Sequence, residues 1–290
     1  MRQKTRFPRG QYWTGRRGIF ILALLLWLPI GRASASVLVA PTVVIMSDKN
    51  RTGRMILQNP TDQPKEVSIH FSYGLPESDS LGNVTVRLTD SAVTDPHSAL
   101  GWIRAFPRRI VLPAGASQTV RFVATPPKDL PDGEYWARIV VRSQESQSTI
   151  PEATEEGKIT TNLNMVMQTA ISLKYRTGDL VSELQLTDSQ AELTDSTVVA
   201  MLDMTNKGNV SYLGVVTCRL LDADNKEISS EQFDLAVYYD LRKRIDLPVT
   251  GGNFKRPFRV ELSITNEGRS DIPPEDVVKG NPIEYTMTVR

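Results

Sequence analysis

Two histidines, one cysteine and one acid-rich hexapeptide are the side chains in this 290-residue sequence with the most evident chemistry. His70 lies in a strand-like run and His97 follows Pro96. Neither stands at metal-ligand spacing from a second ligand. The sequence contains no Gly-x-Ser-x-Gly nucleophile elbow and no phosphate-binding glycine loop. Asp222-Ala223-Asp224-Asn225-Lys226-Glu227 has the acid spacing of a calcium loop, but Glu227 fills the sixth place, where that loop needs glycine. Strand-like runs flank it, so it reads as a hairpin turn. Cys218 sits in the apolar run Val215–Leu220 and reads as a buried core thiol. A single cysteine excludes an internal disulfide, and with it the small stapled scaffolds of exported proteins. The expectation is a protein that is no enzyme, with no catalytic residue, cofactor or metal.

What remains is the chemistry of the main chain. Asn162 to Arg176 reads NLNMVMQTAISLKYR, the pattern of one long strand. Leu163, Met165 and Met167 share one face and Asn164, Val166 and Gln168 the other. An exposed strand edge offers unpaired N–H and C=O groups, and its alternate side chains fill a partner's pockets. Methionine suits irregular pockets because it is unbranched and polarisable. The competing reading places Leu163, Met165 and Met167 in this domain's own core, since one parity of any sandwich strand faces inward. On the pattern alone the core reading is preferred, because the opposite face, Asn164, Val166 and Gln168, would make a poor core.

The elements that must position this strand are nearly all β. Arg2, Lys4, Arg6, Arg9, Arg16 and Arg17 precede an apolar run over residues 19–30 and the small residues Ala33-Ser34-Ala35. That is the plan of a secretory signal peptide over 1–35. The run of about a dozen residues is short of the roughly 20 that span a bilayer. Arg16-Arg17 fits the twin-arginine export route only loosely, so the general route is preferred. Beyond it, apolar-alternating runs recur between Gly, Pro, Asn and Asp. Seven or so fall before residue 176, which is the signature of an immunoglobulin-like sandwich. A polar stretch over 77–100 predicts an irregular hairpin, and the acidic stretch 142–161 a long loop. Thr177-Gly178-Asp179 reads as a hinge over 177–180, and a second set of runs fills 181–290. The fold class expected is all-β, with two immunoglobulin-like β-sandwich domains in tandem, over 36–176 and 181–290. Seven of the 34 basic residues and none of the 33 acidic ones lie in the first 36 positions, so the remainder is mildly acidic. No nucleic-acid footprint is present, and no later segment is long and apolar enough to span a membrane.

Three stretches of the first domain resemble the periplasmic chaperones of bacterial pilus assembly. Trp102–Phe122 (WIRAFPRRIVLPAGASQTVRF) carries in order Pro107, Arg108 or Arg109, Leu112-Pro113-Ala114-Gly115 and Gln118-Thr119-Val120-Arg121. Leu130–Arg142 resembles the family strand opening with Leu-Pro and an acid, here Glu134. Leu163–Arg176 resembles the last strand of the family's first domain, which completes an unfinished pilin subunit. The resemblance covers Val37 to about Arg176. It implies a periplasmic protein whose strand 163–173, through Leu163, Met165 and Met167, binds a secreted β-rich, pilin-like subunit, with an outer-membrane usher as a further partner.

The sequence departs from the family at the two basic residues that grip the subunit's terminal carboxylate. Val43 and Ser172 stand at those positions. Lys174, two residues on along the same strand face, is the candidate substitute anchor, weighed against the solvated place that a lysine at a strand end usually takes. Arg176 corresponds to a family arginine that braces the two domains, with Glu134 its matching acid. The alternative expectation is a structural or accessory immunoglobulin-like envelope protein that has lost partner binding together with those anchors.

Overall fold

The computed structural model describes residues 37–89, 94–146 and 165–290. They form two β-sandwiches in tandem, as the sequence predicts. The export segment and Leu163 lie outside these residues.

The first sandwich uses β1 (Leu38–Ala40), β2 (Val43–Ser47), β3 (Thr52–Gln58), β4 (Lys65–Ser72), the short pair β5 (Pro76–Ser78) and β6 (Val84–Val86), then β7 (Ile103–Phe106), β8 (Arg109–Leu112), β9 (Ser117–Ala124), β10 (Gly133–Glu145) and β11 (Val166–Thr177). One sheet has the order β1-β3-β9-β7 and the other β2-β11-β10-β4-β8. β1 and β2, two residues apart in sequence, lie one in each sheet. Pro41 and Pro107 stand where the chain leaves the first sheet for the second, positions where a residue without an N–H costs no ladder bond.

Alternation explains the packing. In β9, Val120, Phe122 and Ala124 are buried while Ser117, Thr119, Arg121 and Val123 face out. Phe122 meets Phe71 edge to face at 6.1 Å, and Trp102 meets Tyr175 likewise at 5.0 Å. Each fully buried side chain of this kind contributes roughly 1.5–3 kcal/mol.

The second sandwich uses β12 (Leu184–Thr194), β13 (Thr197–Asn206), β14 (Tyr212–Leu221), β15 (Glu227–Val237), β16 (Asp240–Pro248), β17 (Phe258–Thr265) and β18 (Ile283–Val289). Its sheets have the orders β12-β13-β16 and β15-β14-β17-β18. Phe258, Val260, Leu262 and Ile264 of β17 all enter one core with Val216, Cys218 and Leu220 of β14.

Three local features differ from the sequence expectations. β10 continues to Glu145 because Arg142–Glu145 pair with β4, so a strand covers the start of the expected 142–161 loop. The rest of that stretch, 147–161, lies outside the described residues. The irregular stretch over 77–100 contains part of the hairpin β5–β6, which reaches onto the second sandwich. There Arg242 N–H donates to Ser78 Oγ (2.9 Å) and Arg244 N–H to the Gly82 carbonyl (3.1 Å). Gly82 has φ +78°, and a Cβ there would lie 2.6 Å from the Arg244 nitrogen, so only glycine fits this approach. Finally, the corner at 177–180 is held on both sides. Asp179 N–H donates to Asp132 (3.1 Å), while Asn209 Nδ2 donates to the carbonyls of Asp179 (2.8 Å) and Asp132 (3.2 Å).

Candidate partner-binding edge

β11 pairs with β10 over its whole length, from Val166 opposite Gln144 to Thr177 opposite Gly133. On its other flank, β2 runs parallel to it only from Ser172 to Arg176. From Val166 to Ile171 that flank has no strand beside it among the described residues. The main-chain groups pointing that way form an open edge.

The side chains change character at the same place. Ile171, Leu173 and Tyr175 are buried in the core of the first sandwich. Met165 and Met167 share their parity but are 63% and 45% exposed. The core reading of these two methionines is therefore overturned: Ile171 is the first residue of that parity to reach the core. Val166 is also largely exposed, so both faces of the strand end meet solvent.

The opposite parity of the inner half, Ser172, Lys174 and Arg176, faces the second sandwich. Lys174 is 1% exposed. Its ammonium donates to Glu134 Oε1 (2.7 Å), Ser211 Oγ (2.6 Å) and Tyr238 Oη (3.1 Å), and lies 4.4 Å from the Tyr238 ring centre. Arg176 Nε donates to Glu134 Oε2 (2.8 Å), and its Nη1 donates to the Asp276 carbonyl. Trp136 Nε1 (2.7 Å) and Ser211 Oγ (2.5 Å) donate to the same carboxylate. Burial alone would raise the Glu134 carboxyl. The charges of Lys174 and Arg176, with hydrogen bonds from Lys174 and Ser211, outweigh that and hold it down at about 2. Tyr238 follows the same logic: burial pushes its hydroxyl up, but the nearby cations Lys174 and Arg138 pull it below its ordinary value.

These contacts decide two expectations. Arg176 and Glu134 are brought together at the junction of the sandwiches. Lys174 is not a free anchor for a partner's carboxylate, because a carboxylate of its own chain already holds it. Val43 and Ser172, the two uncharged departures, stand directly opposite each other in the parallel ladder. Ser172 Oγ lies 3.4 Å from Tyr238 Oη.

Sequence reasoning misses the rest of the junction. Tyr239 Oη donates to Asp95 (3.0 Å) and lies 2.8 Å from His97 Nδ1, and Tyr73 Oη also bonds Asp95. The His97 ring sits 4.9 Å from Trp136. Trp136 meets Tyr238 (4.8 Å) and Tyr239 (5.5 Å) edge to face in the same cluster. Ser211 and Asp95 carry no sequence signal, since only the tertiary fold brings them to Glu134 and Tyr239.

The remaining candidates take structural places. Burial pushes the Cys218 thiol up to about 12. Asp222 Oδ1 accepts from Asp224 and Lys226 N–H (both 2.9 Å), closing the turn between β14 and β15. Among the described residues no three His, Cys, Asp or Glu side chains group as metal ligands, and no helix is long and apolar enough to cross a membrane.

No protein-family model matches the chain, and no curated protein matches it either. Solved structures do. The YadV chaperone is 18% identical, with 88% of this chain and 100% of that chain covered, at a TM-score of 0.41. The class 5 fimbriae chaperone CfaA is 15% identical, covering 87% and 98%, at 0.41. The SafB chaperone, solved with the SafA pilin of Salmonella enterica, is 14% identical, covering 87% and 96%, at 0.41. All three are chaperones.

Proposed function

We propose that this chain is an exported, periplasmic chaperone-like protein that binds and stabilises a secreted β-rich subunit by strand addition. The observation that carries this reading is the open flank of β11 over Val166–Ile171, with Met165 and Met167 exposed beside it. An incoming strand would take up the unpaired main-chain groups, while the two methionines enter the partner's unfinished core. Leu163 extends the same comb in the sequence. The pilin-like class of the partner, and an outer-membrane usher as a second partner, follow from the sequence resemblance. Binding of this kind needs neither nucleotide nor metal, because the free energy comes from ladder bonds and apolar burial.

One observation favours the alternative of an accessory envelope protein without chaperone activity: Val43 and Ser172 offer no charge at the edge, and Lys174 is held by Glu134. Co-expression of the exported chain with secreted β-rich subunits, followed by affinity recovery, separates the two. The proposal expects a subunit to co-purify with the wild type and to be lost with Met165→Asp/Met167→Asp at unchanged melting temperature. Equal recovery with the double variant would overturn it.

A further inference from the structure

The outward face of the four-stranded sheet β1-β3-β9-β7 has an unusual charge content. Arg54, Arg104 and Arg121 point outward from β3, β7 and β9. Arg54 stands directly opposite Arg121, and Arg121 directly opposite Phe106; Arg104 stands opposite Val123. The four strands contain no Asp, no Glu and no Lys. None of the three guanidinium groups has a hydrogen bond or ion pair among the described residues. Between them lie exposed apolar side chains, Ile56 (49%), Phe106 (56%) and Val123 (38%).

Like charges directly opposite across two strands destabilise a sheet. The corresponding outer face of the second sandwich avoids this. There Arg219 pairs with Glu227 and Glu261, and Arg259 pairs with Glu261. Residues 37–290 carry 27 basic against 33 acidic residues, so these three arginines, without a carboxylate partner among the described residues, are concentrated on one face of an acidic chain.

We infer that this face is a second docking surface, separate from β11, for a protein partner that presents carboxylates around an apolar patch. Charge complementarity assigns the partner's sign. Two features assign its class. All the cations are arginine, the residue favoured in protein interfaces for its planar bidentate grip on carboxylates, whereas lysine is depleted there. The strand register fixes the cations about 5 Å apart in the row, which suits carboxylates of fixed spacing. A bilayer of mobile anionic headgroups needs no register and is repelled by the acidic remainder of the chain.

The test places p-benzoylphenylalanine at Thr119, beside Ile56 on this face, in cells that export the full chain. Irradiation should yield one protein adduct, identified by mass spectrometry. Arg54→Glu should lower its yield about tenfold or more, the size of losing one interfacial arginine anchor. The same change should raise the melting temperature, because a carboxylate at position 54 would face Arg121 across the ladder. Arg54→Gln serves if that variant fails to fold. Reversal of one partner carboxylate to lysine should restore the yield with Arg54→Glu. The absence of a protein adduct would overturn the inference, as would an adduct insensitive to Arg54→Glu. So would cosedimentation with phosphatidylglycerol vesicles that Arg54→Glu abolishes.

Discussion

The two halves of β11 share one strand, one partner in β10 and one alternation, yet they do opposite things. From Ser172 to Arg176 both flanks are paired and both faces are buried, one in the first core and one against the second sandwich. From Val166 to Ile171 one flank has no strand beside it among the described residues, and the apolar side chains just outside the core meet solvent. The difference lies in what stands beside the strand rather than in its own pattern. The change falls opposite Val43, where β2 begins.

The comparison breaks most visibly at the buried charges. Lys174→Ala leaves Glu134 buried with one cation fewer and should cost about 3–5 kcal/mol, read from chemical denaturation. Leu173→Ala, on the core face of the same half, should cost about 2–5 kcal/mol with no change in the acid response. That response has a defined sign. The Glu134 carboxyl is held at about 2 when folded, against an ordinary value of 4.5. Its contribution is present above 4.5 and is lost as pH falls from there toward 2. Thermal melts should show this loss in the wild type and much less of it in Glu134→Gln.

Gly178→Ala probes the corner where β11 ends. The residue has φ +66°, and a Cβ there would run into an Asp132 carboxylate oxygen. A cost of about 1 kcal/mol or more is expected in melting experiments. The smallest effect on stability belongs to the outer half. Met165→Asp/Met167→Asp should change it by less than about 0.5 kcal/mol while abolishing partner recovery. A large loss of stability there would erase the distinction between the halves.

Much of this is legible in the sequence, though not the division within β11. The alternation of β9 and β17 identifies strands and core faces directly. In β11 the same alternation runs from Met165 to Tyr175, interrupted by Thr169, so parity alone does not say where burial begins. That depends on β2, a strand far earlier in the chain, whose first residue Val43 follows the switch between sheets at Pro41 and stands opposite Ser172. Lys174 escapes a sequence reading for a related reason. A lysine near a strand end is usually solvated, and only the arrival of Ser211 and Tyr238 from the second sandwich makes this one buried. The hairpin β5–β6 is visible as irregular sequence but not as a bridge, because its contacts are with backbone groups of β16.

That hairpin has a mechanical consequence. A body fastened at one place can swivel about it; fastened at two separated places, it resists torque. The second sandwich is tied to the first at the Asn209 corner and again where Ser78 and Gly82 meet Arg242 and Arg244. The angle between the sandwiches is then set in advance, and the strand proposed to dock on β11 would meet a frame whose orientational entropy is already lost.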